Sequence, residues 1–171
     1  LLWCIWALQQ YAKECGIEAC RDQYGDLLMR IYDYVRNNKH SNLRVTQNGL
    51  LATNGRDKAV TWMNSTVNGR PVVQRTGYVV EINALWYNAL KFIEEMAALT
   101  NNGEVLDSLA RLIPLVGKAF VEVFLNEHGY LYDYVDGDYV DWSVRPNMIF
   151  AVALDHSPLD SKQRKKVLDT V

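Results

Sequence analysis

The sequence predicts an all-α fold of helical hairpins, arranged as in an α/α toroid with one β-hairpin-containing loop inserted, and three observations carry the prediction. Four long stretches place apolar residues at helical spacing. They alternate in character, a mostly apolar helix and then an amphipathic one, as inner and outer rings require. Between the two pairs lies a glycine-punctuated segment, 43–77, longer than the connections of an ordinary bundle.

The first stretch, Leu2 to Cys15, is predominantly apolar and stops at Gly16, which suits a left-handed cap. Ile17 to Val35 follows with Leu27, Leu28, Ile31 and Val35 on one face, and the polar run Asn37 to Asn42 ends it. In the long segment, Gly49, Gly55, Gly69, Pro71 and Gly77 separate short β-prone runs, which gives a structured loop with hairpin character. Long loops of this kind usually carry function, so the chemistry is expected here.

Val79 to Leu99 leaves little polar surface and should be buried on most sides. Leu106 to Leu125 is amphipathic, with Asn101 or Asn102 available as cap and with Pro114 and Gly117 predicting a kink or an early break. Tyr130 to Val135 alternates, Asp136-Gly137-Asp138 turns the chain, and an apolar helix is expected from Pro146 to Leu154. A last helix begins at Leu159.

Residues 1–171 are long enough for one domain with a real core but not for two. The first residue is Leu1 and both ends fall inside helical patterns, so an internal fragment of a larger domain is expected. A formal net charge of -2 argues against nucleic acid and anionic lipid, both of which need a surplus of Lys and Arg. The apolar opening, interrupted at Gln9-Gln10, is neither a signal peptide nor a membrane anchor. Cys4, Cys15 and Cys20 are odd in number and imply no disulfide framework, which makes a reduced, cytoplasmic setting the default. Ten Tyr and five Trp exceed what a helical core needs, and amphipathic rings of this kind commonly line sites for sugars or protein partners.

The segment Thr61-Trp62-Met63-Asn64, then Pro71-Val72-Val73-Gln74-Arg75-Thr76-Gly77, then the run from Val80-Glu81-Ile82-Asn83 through Trp86-Tyr87 to Leu90 form one ordered set. Tyr130-Leu131-Tyr132-Asp133 and Arg145-Pro146-Asn147 come after it in the chain. This set resembles the amylo-α-1,6-glucosidase domain of glycogen debranching enzymes, and the likeness runs from Leu2-Trp3 to the last helix. The resemblance implies an (α/α)6 toroid with its active site at one mouth. It also implies hydrolysis of α-1,6-linked glucose at branch points of glycogen or related α-glucans, without a cofactor. Two carboxylic acids would do the work, a protonated one for the leaving oxygen and an ionised one for the water.

Two departures bear on activity. The family has Asp after Trp-Met as presumed general acid, whereas this chain has Asn64, whose amide donates hydrogen bonds but no proton to a glycosidic oxygen. The family's second carboxylate lies beyond the position of Val171. The chain is therefore expected to be inactive alone, and a non-catalytic α-glucan-binding protein is the alternative. A helical scaffold without sugar affinity is the further rival.

Glu81 opens an apolar helix, where a carboxylate serves as cap or ion-pair partner as readily as acid or sugar ligand. Arg75 reads as the neighbour of Glu81, as a sugar ligand, or as a surface arginine packing its stem. Trp62, Trp86 and Tyr87 are candidate stacking platforms, with core packing as the alternative for each. Arg145 and Asn147 flank a helix-starting proline and serve either helix entry or the sugar. Asp136, Asp138 and Asp141 lack the spacing of a calcium loop and read as solvated carboxylates. His40, His128 and His156 have no second ligand at metal spacing, so no metal is expected. A toroid cut through would leave its inner helices, the third above all, with uncovered apolar faces, and self-association through them is expected.

Overall fold

The computed structural model describes all of residues 1–171. Its helices are α1 Leu2–Cys15, α2 Ile17–Arg36, α3 Val80–Leu99, α4 Gly103–Phe124, α5 Phe150–Ala153 and α6 Ser161–Thr170, with a 3-10 turn at Pro146–Ile149 before α5. Its strands are β1 Leu43–Val45, β2 Leu51–Thr53, β3 Thr66–Val67, β4 Arg70–Pro71, β5 Gly77–Val79, β6 Tyr134–Asp136 and β7 Tyr139–Val140. The helical hairpins are present: α1 packs on α2, α3 packs on α4, and α1 packs on α3.

The domain is mainly helical, but its β structure extends beyond the one hairpin-containing loop expected: β1, β2, β5, β6 and β7 form one antiparallel sheet in that order, with β3 and β4 as a separate hairpin. Strands of two or three residues are too short to show an alternating period. The pairing that unites the sheet, Tyr78 with Val135, spans the whole α3–α4 hairpin and has no local signature.

Helix α3 is the centre of the core. Leu85, Trp86, Leu90, Phe92, Ile93 and Met96 are all buried, and α1, α2, α4 and α5 surround it. Each such side chain contributes roughly 1.5–3 kcal/mol by leaving water. The apolar face of α3 is thus covered within the chain itself, so the expected reason for self-association does not hold for this helix. Asn88 in its middle donates to Gln9 Oε1 at 2.7 Å and accepts from the His156 backbone at 3.1 Å, which satisfies a buried amide and ties α1 to the segment after α5.

Several local readings shift for identifiable reasons. Gly16 has φ 92 and ψ 144, outside the left-handed helical region expected of it but in a region that only glycine enters readily. Helix α4 begins at Gly103 with Asn102 accepting from Val105 N, and it runs unbroken through Pro114. Gly117 serves packing: a Cβ there would stand 3.1 Å from the Tyr87 ring, so its absence lets α4 approach α3. The stretch expected to be one apolar helix from Pro146 is split into the 3-10 turn and the four residues of α5. Helix α6 starts at Ser161, where Asp160 and Gln163 form a reciprocal capping box. None of the helices is long and apolar enough to cross a membrane.

Candidate functional site

The site grows from the entrance to α3. Asn83 accepts from Leu51 N at 2.7 Å and donates to Leu51 O and Val79 O at 3.0 Å, which stitches β2 to the first turn of the helix. Glu81, two residues earlier, is only 2 % exposed and faces Arg75, itself 2 % exposed. A buried guanidinium needs anions around it. Arg75 grips Glu81 with two prongs, Nη1 to Oε1 and Nη2 to Oε2, the latter at 2.6 Å. Its other edge meets Asp133, with Nε to Oδ2 at 2.9 Å and Nη2 to Oδ1 at 2.8 Å.

Asp133 is the hub of a wider set of contacts. Arg145 Nη1 donates to Asp133 Oδ2 at 2.8 Å and to Asp141 Oδ2 at 3.0 Å, while Asn147 Nδ2 donates to Asp133 Oδ1 at 2.5 Å. Asn147 Oδ1 in turn accepts from the Trp62 indole at 3.0 Å, and Arg75 Nη1 reaches Thr61 Oγ1 at 3.3 Å. Loop 54–65, Asp133 just before β6 and the 3-10 turn are thereby joined to α3 by one polar network.

A cavity of about 430 Å³ opens beside this network. Thr61, Trp62 and Glu81 line it together with Ile82 and Leu85 from α3, and His40, Asn42 and Lys58 supply further polar atoms. Its size and its mixture of apolar wall and few polar groups suit a small neutral ligand.

The structure brings Trp62, Arg75, Glu81, Arg145 and Asn147 into one constellation, but it separates the other three candidates from it. Trp86 is fully buried, donates its indole N–H to Gly49 O at 3.1 Å and stacks on Tyr32, so it is core rather than a sugar platform. Tyr87 lies against Gly117 between α3 and α4 and does not line the cavity. Asn64 is exposed and also lies outside the cavity lining. Helical geometry accounts for the first two: residues five and six positions after Glu81 point away from the face it occupies.

Asp133, Thr61 and Asp141 carry no site role when the sequence alone is read. An acidic residue inside the alternating run Tyr130 to Val135, with two arginines elsewhere needing partners, is the available signal for Asp133. Asp141, expected to be solvated, is 7 % exposed and paired. Asp136 pairs with Arg56 nearer the surface, and Asp138 is exposed as expected.

Burial pushes the Glu81 carboxyl above its ordinary range, against the pull of Arg75. Both its oxygens accept hydrogen bonds from the guanidinium, an arrangement that favours the ionised form. Burial also works to raise Asp141, but hydrogen bonds from Ser143 and the charge of Arg145 outweigh it and hold this carboxyl below its ordinary range. A depressed folded value means that the contribution of Asp141 to stability is complete above the unfolded value, about 3.9, and fades as pH falls through the folded one. Thermal melts of the parent and Asp141→Asn should therefore differ above about pH 4 and converge in stronger acid. A gap that persists unchanged at low pH would contradict this.

A search among curated proteins gave no match for the chain. The family model described as amylo-alpha-1,6-glucosidase matches residues 1–171, and the chain belongs to that family.

Proposed function

We propose that this chain forms the substrate-binding side of a debranching-type α-1,6-glucosidase domain, with a glucosyl unit of glycogen or a related α-glucan held in the cavity beside Trp62. The two helical hairpins are read as members of an (α/α)6 ring with the cavity at its mouth. One observation carries the reading: Trp62 is 56 % exposed, yet its indole N–H is anchored to Asn147 in the network that fixes Glu81. An exposed aromatic held at the rim of a pocket offers a flat apolar face to a sugar ring. Thr61, Asn42, His40 and Lys58 offer its hydroxyls partners.

Hydrolysis of an α-1,6 bond needs a protonated acid at the leaving oxygen and a free carboxylate to activate water. Neither group is supplied at the cavity by this chain. Position 64 carries an amide and lies outside the cavity lining, and both oxygens of Glu81 are engaged by Arg75. The chain as it stands binds glucan without turning it over.

Titration calorimetry with maltooligosaccharides of increasing length tests binding, and heat of binding that disappears in Trp62→Ala is the expected result. Silence at every length would favour a scaffold without sugar affinity. Asn64→Asp, placed in the complete glucosidase domain, separates the two remaining readings. Glucose released from a branched limit dextrin supports the enzyme, whereas unchanged binding without release supports a non-catalytic α-glucan-binding protein.

A further inference from the structure

We propose that Asp133 and Asn147 are a positioning pair that fixes the Trp62 ring at the cavity rim and so sets glucan affinity, which rests on the reading of Trp62 as the sugar-facing aromatic. The exposure of Trp62 means that packing alone does not hold the ring. Its one polar handle is the indole N–H, and that handle ends on Asn147 Oδ1 at 3.0 Å.

Asn147 is 1 % exposed, so its amide must find its partners inside the protein. An amide has an acceptor end and a donor end, and only one of its two orientations satisfies this site. Nδ2 donates to Asp133 Oδ1 at 2.5 Å and touches Met63 Sδ at 3.3 Å, which leaves Oδ1 for the indole. Turning the amide over would set its oxygen against a carboxylate oxygen and its NH2 against the indole N–H.

Asp133 is what forbids that turn. It meets donors from Arg75 and Arg145, and its side chain is 1 % exposed, so neither oxygen is free to move away. Asn147 is further constrained by Pro146, whose ring fixes the backbone entering the 3-10 turn. Asn147 is therefore no sugar ligand: its polar atoms are already used, and it acts on the substrate through Trp62.

The test starts without ligand. A nitrogen-proton correlation spectrum of the chain should show one indole signal for each of its five Trp residues, and Trp62→Phe identifies the signal of Trp62 by its loss. Slow exchange of that N–H with water, despite an exposed ring, is the expected result. Exchange of that signal as fast as that of a free indole overturns the proposal in the parent protein itself. In Asn147→Ala the Trp62 signal should move and exchange quickly while the other four stay in place.

Affinity for a maltooligosaccharide supplies the second arm. Asn147→Ala should weaken it roughly five-fold in the parent, a coupling typical of residues in contact, and should change nothing further in the Trp62→Phe background. Equal losses in both backgrounds would show that Asn147 acts on the fold at large and would overturn the positioning role. If Trp62→Phe itself leaves affinity unchanged, the sugar-stacking reading of Trp62 fails, and the indole exchange still decides whether the pair holds the ring.

Discussion

Arg75→Ala should destabilise the fold by several kcal/mol, a large share of what holds a domain together. Arg75 is the only cation in contact with Glu81 and holds one edge of Asp133, and both carboxylates are almost wholly buried. Removing it leaves uncompensated charge on two carboxylates that are only 1–2 % exposed, a change that costs about 3–5 kcal/mol. Domains have only about 5–15 kcal/mol in total. Arg75→Lys should rescue little, because one ammonium cannot present two flat edges to two carboxylates. Adding Glu81→Gln to Arg75→Ala should recover part of the loss, since it removes one of the stranded charges. Urea midpoints of the three variants check this. A single Arg75→Ala variant within about 1 kcal/mol of the parent would mean that the carboxylates take up protons instead, and the network would not be what anchors the loop and β6 to α3.

The part played by Arg75 also shows where sequence reading runs out. Helices α1 to α4 were legible to within a few residues because each has enough turns for a period to show and most have an end signal such as Gly16 or Asn102. The centrality of α3 followed from its nearly continuous apolar run. The sheet was not legible, since its strands find partners through tertiary proximity rather than local pattern. The site was legible in outline only. Family-like motifs marked Trp62, Arg75, Glu81, Arg145 and Asn147, but ion pairing depends on which charges the fold brings together, and that placed Asp133 at the hub. Trp86 and Tyr87 lie in the same motif as Glu81 but on other faces of α3, because a motif is contiguous whereas a helix face is not.

Gly55→Ala is expected to strike the cavity through the backbone. A Cβ at Gly55 would lie 1.9 Å from the carbonyl oxygen of Arg75 and 2.9 Å from Val60 Cγ2. That carbonyl cannot withdraw freely, because it accepts from Thr53 Oγ1 at 3.3 Å and belongs to the residue whose guanidinium is clamped on both edges. The loop must give way instead, and it carries Thr61 and Trp62 with it. Overpacking of this kind costs about 1–3 kcal/mol. The larger consequence is geometric: Trp62 leaves Asn147, so glucan binding should be abolished in a chain that still folds. Gly103→Ala is the control, since a Cβ there meets nothing within 4 Å, and it should melt at or slightly above the parent and bind normally. If Gly55→Ala binds as well as Gly103→Ala, the cavity beside Trp62 is not where the glucan sits, because no rearrangement that clears a 1.9 Å overlap with backbone leaves that loop in place.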